Sequence, residues 1–285
     1  MNNNTPHPSI LVAGLAKTGT TILFTRIRAS LPAAPATFFE PSTPEALELI
    51  LQTGHTTPTL TKCLVGQVSG ETPGIARFSH PILIVRDPRD QFVSEMLYEF
   101  YKFLLNSDAS GYAAARRLLK SKIRRPGSLS CAALFQGIRA LAIQNLPRIN
   151  PVQLLASKYQ LLENYRETID PFIVRYEDIV DNRLTDLAQY LNLNTIHPAE
   201  VDDSVRRVRR TRAYGEWKQW FTPEDLLEFE IKLGPVLTRY GYSPSPLPDI
   251  QQIPLETSLH YIRQFCPPRP ALRERLRRRA GAGTR

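Results

Sequence analysis

The sequence predicts an α/β fold, a central parallel sheet covered by helices on both faces. Three observations carry that expectation. Four short runs rich in β-branched and aliphatic residues, at 9–13, 59–65, 81–85 and 171–175, are flanked by chain breakers and lack the alternation of a half-exposed strand. Stretches of helical periodicity lie between them. The first run also passes through a Gly-rich turn straight into a hydroxyl-rich helix start, Gly14-Leu-Ala-Lys-Thr-Gly-Thr-Thr21. At 285 residues and 42% hydrophobic content, the chain is long enough to bury one large core of this kind.

Taken in order, Ser9–Ala13 reads as the first strand and 20–30 as the helix behind it. The turn between them is built to cradle phosphate, because backbone N–H groups at a helix N-terminus point at an anion and the helix dipole adds to the attraction. Gly14 and Gly19 keep the spacing of a nucleotide-triphosphate loop, but Thr20 stands where that motif needs its lysine, and Lys17 lies inside the loop. A helix over 44–52 is capped by Thr43 and begun by Pro44, and strand 59–65 follows. Strand 81–85 ends in Arg86-Asp87-Pro88-Arg89-Asp90, and the helix over 90–105 carries Ser94. Arg86 at the strand tip and Ser94 two turns along can reach one phosphate together, the arginine through its fixed fork of donors. Helices over 111–122, 129–144 and 151–168 lead to strand 171–175, and helices over 178–191 and 223–239 close the pattern. Residues 1–242 are read as one domain and 243–285 as a Pro-rich arm with a basic tail.

Composition narrows the function classes. Cys63, Cys131 and Cys266 are odd in number, widely spaced and form no CxxC pair, which argues against a disulfide framework or a zinc site. No run approaches the length of a membrane span, and Met1–Pro8 lacks the pattern of a secretory leader, so a cytoplasmic protein is expected. The net charge of +9 is uneven, with six arginines against Glu274 in residues 271–285 and a second cluster at Arg206, Arg207, Arg209, Arg210 and Arg212. Such clusters suit nucleic acid or an anionic surface, but a solvated, frayed terminus is the favoured reading of the tail, and nucleic acid is not the expected partner.

Four segments together resemble the family of sulfotransferases that use 3′-phosphoadenosine 5′-phosphosulfate (PAPS). The turn Gly14–Thr21 resembles its 5′-phosphosulfate loop, and Ile82–Ser94 its 3′-phosphate segment, with arginine and serine at the family's spacing. Val174-Arg-Tyr-Glu-Asp-Ile179 resembles the segment whose tyrosine lies near the adenine, here Tyr176, although a core tyrosine would read the same way. Arg210-Thr-Arg-Ala-Tyr-Gly-Glu-Trp-Lys-Gln-Trp-Phe-Thr222 resembles the loop that closes over the 3′-phosphate, with Arg210 at the phosphate arginine and Gly215, Trp217 and Lys218 in its signature. The usual Lys-Gly is Thr211-Arg212 here, so Arg209 or Arg212 is a second candidate to share or replace that contact. The four segments fall in the family's order and span residues 10–222.

The resemblance implies a P-loop-like fold and in-line transfer of a sulfuryl group from PAPS to an acceptor hydroxyl or amine. Lys17 would act at the bridging oxygen, with the backbone amides of Thr18, Gly19, Thr20 and Thr21 and the Thr20 and Thr21 hydroxyls around the phosphosulfate, and Arg86, Ser94, Arg210, Arg212 and Gly215 around the 3′-phosphate. No metal is required by this scheme. Many family members place a histidine base after a Lys-Thr pair on a strand, whereas Thr61-Lys62-Cys63-Leu64 puts a leucine there. Glu40, in Phe38-Phe39-Glu40-Pro41, is the substitute base, as in carbohydrate-type and bacterial members; His55 and His80 are rivals without a motif. Lys62 either helps neutralise the leaving group or lines the strand end. The acceptor is expected to be a small molecule, glycan or natural product with a free hydroxyl, and residues 97–125, aromatic and then basic, are a candidate acceptor segment that also reads as ordinary amphipathic helix. Two other classes remain open from sequence. One is a P-loop kinase or triphosphatase dependent on Mg²⁺; the other is a binder of nucleic acid or anionic surfaces.

Overall fold

The computed structural model describes residues 7–68, 72–106, 109–142, 149–199 and 213–243. Its frame is a five-stranded, wholly parallel sheet in the order β2-β3-β1-β4-β5, formed by β1 (Ser9–Gly14), β2 (Ala36–Phe39), β3 (Thr59–Leu64), β4 (His80–Val85) and β5 (Phe172–Arg175). The helices are α1 (Thr20–Ser30), α2 (Pro44–Thr53), α3 (Pro88–Asn106), α4 (Ala109–Arg124), α5 (Cys131–Ala142), α6 (Pro151–Ile169), α7 (Tyr176–Val180), α8 (Thr185–Tyr190), α9 (Trp217–Trp220) and α10 (Pro223–Arg239). The predicted α/β class is the class found.

Two compact units divide the chain. The first comprises Met1–Phe92, Val152–Arg207 and Glu230–Pro244 and holds the whole sheet. β1 lies at its centre and is buried at every position, as a strand covered on both faces must be. Because side chains alternate along a strand, Ile10 and Val12, with Leu60, Ile82, Ile84 and Val174, share one face. They pack there against Leu23, Phe24 and Ile27 of α1, Ile179 of α7 and Leu187 of α8. Each such side chain contributes about 1.5–3 kcal/mol by leaving water. Leu11, Ala13, Cys63, Leu83 and Val85 take the opposite face and are equally buried. α6 covers it, and its Tyr165 lies close enough to Cys63 for the two to interact electrostatically. Helices therefore flank both faces.

The second unit comprises Val93–Pro151, Val208–Phe229 and Ser245–Arg285. Asp225, fully buried, organises its described part. The carboxylate accepts from the backbone N–H groups of Cys131 (2.8 Å) and Ala132 (3.1 Å) at the start of α5, and from the N–H (2.9 Å) and hydroxyl (3.1 Å) of Thr222 before α10. Two helix N-termini thus share one capping anion, within the Thr-Pro-Glu-Asp capping box that opens α10. Lys122 donates to the carbonyls of Pro126 (2.6 Å) and Leu129 (2.7 Å).

Three differences from the sequence expectation have physical reasons. β2 was not among the predicted strands, because it is only four residues long, lies at the sheet edge and alternates half-buried with exposed positions. The single helix expected over 178–191 is two, α7 and α8, separated by a turn in which Asn182 adopts φ +60°. Lys122, read as part of a solvated basic flank, is fully buried, its ammonium spent on the carbonyls beyond the α4 terminus.

Candidate functional site

At the carboxyl end of β1 the chain turns through Leu15–Gly19 into α1. Thr18 folds the turn on itself, its hydroxyl donating to the Leu15 carbonyl at 2.8 Å. Two residues leave the usual backbone region, Lys17 at φ +70° and Gly19 at φ +99°. Such backbone is uncommon for a lysine and persists only where the surroundings hold it. Gly14 and Gly19 are needed for close approach. A Cβ on Gly14 would meet the Thr18 hydroxyl at 2.8 Å and the Ile84 carbonyl at 2.9 Å, and one on Gly19 would lie 2.5 Å from the Tyr176 ring. With glycine at the cap position, no side chain bonds to the first amides of α1.

The turn's carbonyls are committed one after another. The Leu15 carbonyl takes the Thr18 hydroxyl, that of Ala16 takes Gln91 Nε2 (3.0 Å), and that of Lys17 takes Arg86 Nη1 (3.1 Å). The Thr18 amide also returns to the Leu15 carbonyl (3.4 Å), so the loop is held mainly through its acceptors. Tyr159 of α6 braces the braces: its hydroxyl sits 2.6 Å from Gln91 Oε1 and donates to the Arg86 carbonyl at 2.8 Å. Gln91 and Tyr159 were not among the residues expected from sequence. Gln91 carries no motif of its own, and Tyr159 lies 68 residues further along the chain.

Arg86 is 5% exposed, with its guanidinium 4.3 Å above the Tyr176 ring. Its Nε is buried and has no hydrogen-bond partner among the described residues. A buried guanidinium donor without an acceptor is costly and fits an anion as its missing partner. The neighbouring carboxylate does not compensate it, since Asp87 is engaged by Arg89 through Nε (2.8 Å) and Nη2 (2.7 Å). Tyr176, itself 5% exposed, touches the Gly19 backbone and Arg86 at once, and so joins turn to arginine. Thr20 is buried in the first turn of α1 and Thr21 is half-buried beside it.

Glu40 follows β2 directly, at φ +54°, and its amide donates to the Lys62 carbonyl at 2.7 Å. Its carboxylate forms an ion pair with Lys62 Nζ. Lys62 is 2% exposed and Glu40 24%, and the ammonium lies 4.2 Å over the Phe39 ring. Burial pushes the adjoining Cys63 thiol up to about 12, with Lys62 opposing and Glu40 reinforcing the rise. The rival histidines lie elsewhere. His55 is exposed after α2, and His80 opens β4 at the sheet end opposite the turn, against Tyr190.

The first unit therefore brings together Lys17, Thr18, Gly19, Thr20, Thr21, Arg86 and Tyr176, and holds Glu40 with Lys62 at the same carboxyl edge of the sheet. Ser94 lies on α3 and Gly215, at φ +80°, just before α9, both in the second unit. Arg210 and Arg212 fall outside the described residues.

No protein-family model matches the chain, and no curated protein matches it. Among solved structures it is similar to mouse sulfotransferase SULT7A1 complexed with PAP. The two share 15% identity and a TM-score of 0.47 over 83% of this chain and 91% of that one. A likeness of this degree bears on neither the family nor the activity, which the chain's own residues must carry. Among the described residues no helix is long and apolar enough to cross a membrane, and no group of three or more His, Cys, Asp or Glu side chains could hold a metal ion.

Proposed function

We propose that this protein is a sulfotransferase that moves a sulfuryl group from PAPS to an acceptor hydroxyl or amine. One observation carries the reading: a Lys-bearing turn whose successive carbonyls are bonded away stands against a buried arginine with an unanswered donor. That is a prepared anion site, and Thr20 in place of the triphosphatase lysine favours a phosphosulfate over a metal-bound triphosphate.

In this scheme the α1 amides and the Thr20 and Thr21 hydroxyls hold the 5′-phosphosulfate, and Lys17 meets the charge that grows on the bridging oxygen. Fixed donors aimed at developing charge contribute most to such transfers, with one donor worth about 10²–10³ in rate. Arg86, with Ser94, Arg210 and Arg212, answers the 3′-phosphate, Gly215 belongs to the closing loop, and Tyr176 is the platform under Arg86. Glu40 receives the acceptor's proton. The co-substrate is PAPS and the acceptor a hydroxyl-bearing small molecule, glycan or natural product.

Thermal unfolding with 3′-phosphoadenosine 5′-phosphate (PAP), without Mg²⁺ and beside 5′-AMP and ATP controls, tests the reading. A melting temperature that rises with PAP concentration and depends on the 3′-phosphate supports it. No rise, or one given only by ATP with Mg²⁺, refutes it in favour of a nucleotide triphosphatase or kinase.

A further inference from the structure

The ion pair between Lys62 and Glu40 asks for an explanation beyond burial. Replacing such a pair by apolar residues is often neutral or stabilising, so its presence in the sheet is weak evidence for a purely structural role. The geometry is also unusually committed. Successive strand residues face opposite ways, yet both the Phe39 ring and the Glu40 carboxylate meet the same ammonium. The left-handed backbone at Glu40 makes that possible. Lys62 holds Glu40 at two points, its carbonyl taking the Glu40 amide and its ammonium taking the carboxylate. Strained backbone held at two points, at the sheet edge that also carries the turn after β1, is the pattern of a positioned functional group.

We infer that Lys62 is a positioning residue for Glu40, holding the carboxylate in place to receive the acceptor proton and carrying the positive charge that the pair is left with afterwards. The inference rests on the sulfotransferase reading. In the step, the acceptor O–H bond breaks and its proton passes to Glu40. The acceptor oxygen bonds to sulfur as the bond from sulfur to the bridging oxygen breaks, and that electron pair stays on the 5′-phosphate. One negative charge leaves the Glu40–Lys62 pair while one appears on the leaving group. The Lys62 charge, balanced in the resting pair, is then available to the product phosphate.

β1 carries no titratable side chain, and the turn after it carries Lys17. On α1, Arg26 is bound to the Ile179 and Ile196 carbonyls and Arg28 lies in the last turn. Cys63 on β3 interacts electrostatically with both members and is uncharged at neutral pH.

The test measures kcat and KM for PAPS in Lys62→Met and Lys62→Arg, and repeats Lys62→Met in a Glu40→Gln background. Lys62→Met should lower kcat roughly tenfold to a hundredfold with KM for PAPS nearly unchanged. Lys62→Arg should restore most of that loss, and the Lys62→Met effect should nearly vanish once Glu40 is glutamine. If Lys62→Met costs as much kcat without the Glu40 carboxylate as with it, Lys62 does not act through Glu40 and the inference is overturned. If Lys62→Met does not fold, Lys62→Gln, which keeps a donor to Glu40 without the charge, carries the same comparison. The PAP melting shift separates the two ideas. Its absence in the wild type removes the sulfotransferase reading, and with it the transfer step. Independent effects of the two substitutions with PAP still bound remove only the role of Lys62.

Discussion

Replacing Gly19 by alanine should loosen the turn and the arginine behind it together. Two costs can be worked from the structure. Gly19 sits at φ +99° and ψ 12°, where an L-residue loses about 1–2 kcal/mol. The new Cβ would also lie 2.5 Å from Tyr176 Cδ2 and 3.1 Å from Cε2. That ring is buried and has Arg86 stacked on it, so it cannot swing away freely, and overpacking of this kind costs about 1–3 kcal/mol. Gly19→Ala should therefore destabilise by about 2–5 kcal/mol in urea unfolding. A double-mutant cycle separates the two parts. In a Tyr176→Ala background the clash is gone and only the backbone cost of about 1–2 kcal/mol should remain. PAP should also raise the melting temperature less in Gly19→Ala, because a displaced ring moves the guanidinium. A Gly19→Ala cost that is the same in both backgrounds would refute the account of Tyr176 as the piece joining turn to arginine.

Lys17→Ala should lower kcat by about 10²–10³ in a sulfuryl-transfer assay while PAP still shifts the melting temperature, since the α1 amides and Arg86 remain. Loss of PAP binding and turnover in equal measure would make Lys17 a ground-state contact instead. Asp225→Ala should cost about 3 kcal/mol or more in chemical unfolding, because it strips a shared cap from α5 and α10 and leaves buried donors unmet. A cost under about 1 kcal/mol would mean water replaces the carboxylate. Burial lowers the pKa of the half-buried His80 below 6.5. Above 6.5 the imidazole is neutral folded and unfolded, whereas below it the unfolded chain takes the proton first, so stability falls as pH drops from 6.5 through the folded value. His80→Phe should flatten that part of the stability-against-pH curve, and an unchanged slope would assign it to other groups.

The parts of the site legible in the chain are those carried by neighbouring residues. A strand, a glycine, a lysine, a second glycine and a helix start lie within one stretch, so the Gly14–Thr21 turn reads directly from sequence. Arg86 reads because a strand tip and a proline-begun helix bracket it. Gln91 and Tyr159 could not be read, since their roles depend on contacts between residues 68 apart. The ion pair of Glu40 with Lys62 was hidden for a related reason. Each residue was visible separately, but their meeting needs β2, a strand too short and too exposed to signal itself, in register with β3 so that Phe39 pairs with Lys62.

By itself, then, the chain determined its α/β class, the place of the Gly14–Thr21 turn and the arginine at the tip of β4, because hydrophobic period and turn chemistry are local properties. Tertiary structure alone decided which carbonyls of the turn are occupied, that Tyr176 lies under Arg86, and that Lys62 spends its charge on Glu40 and Lys122 its own on helix-end carbonyls. Those outcomes turn on burial: a polar group removed from water must find a partner, and which partner is within reach is set by packing between segments far apart in sequence.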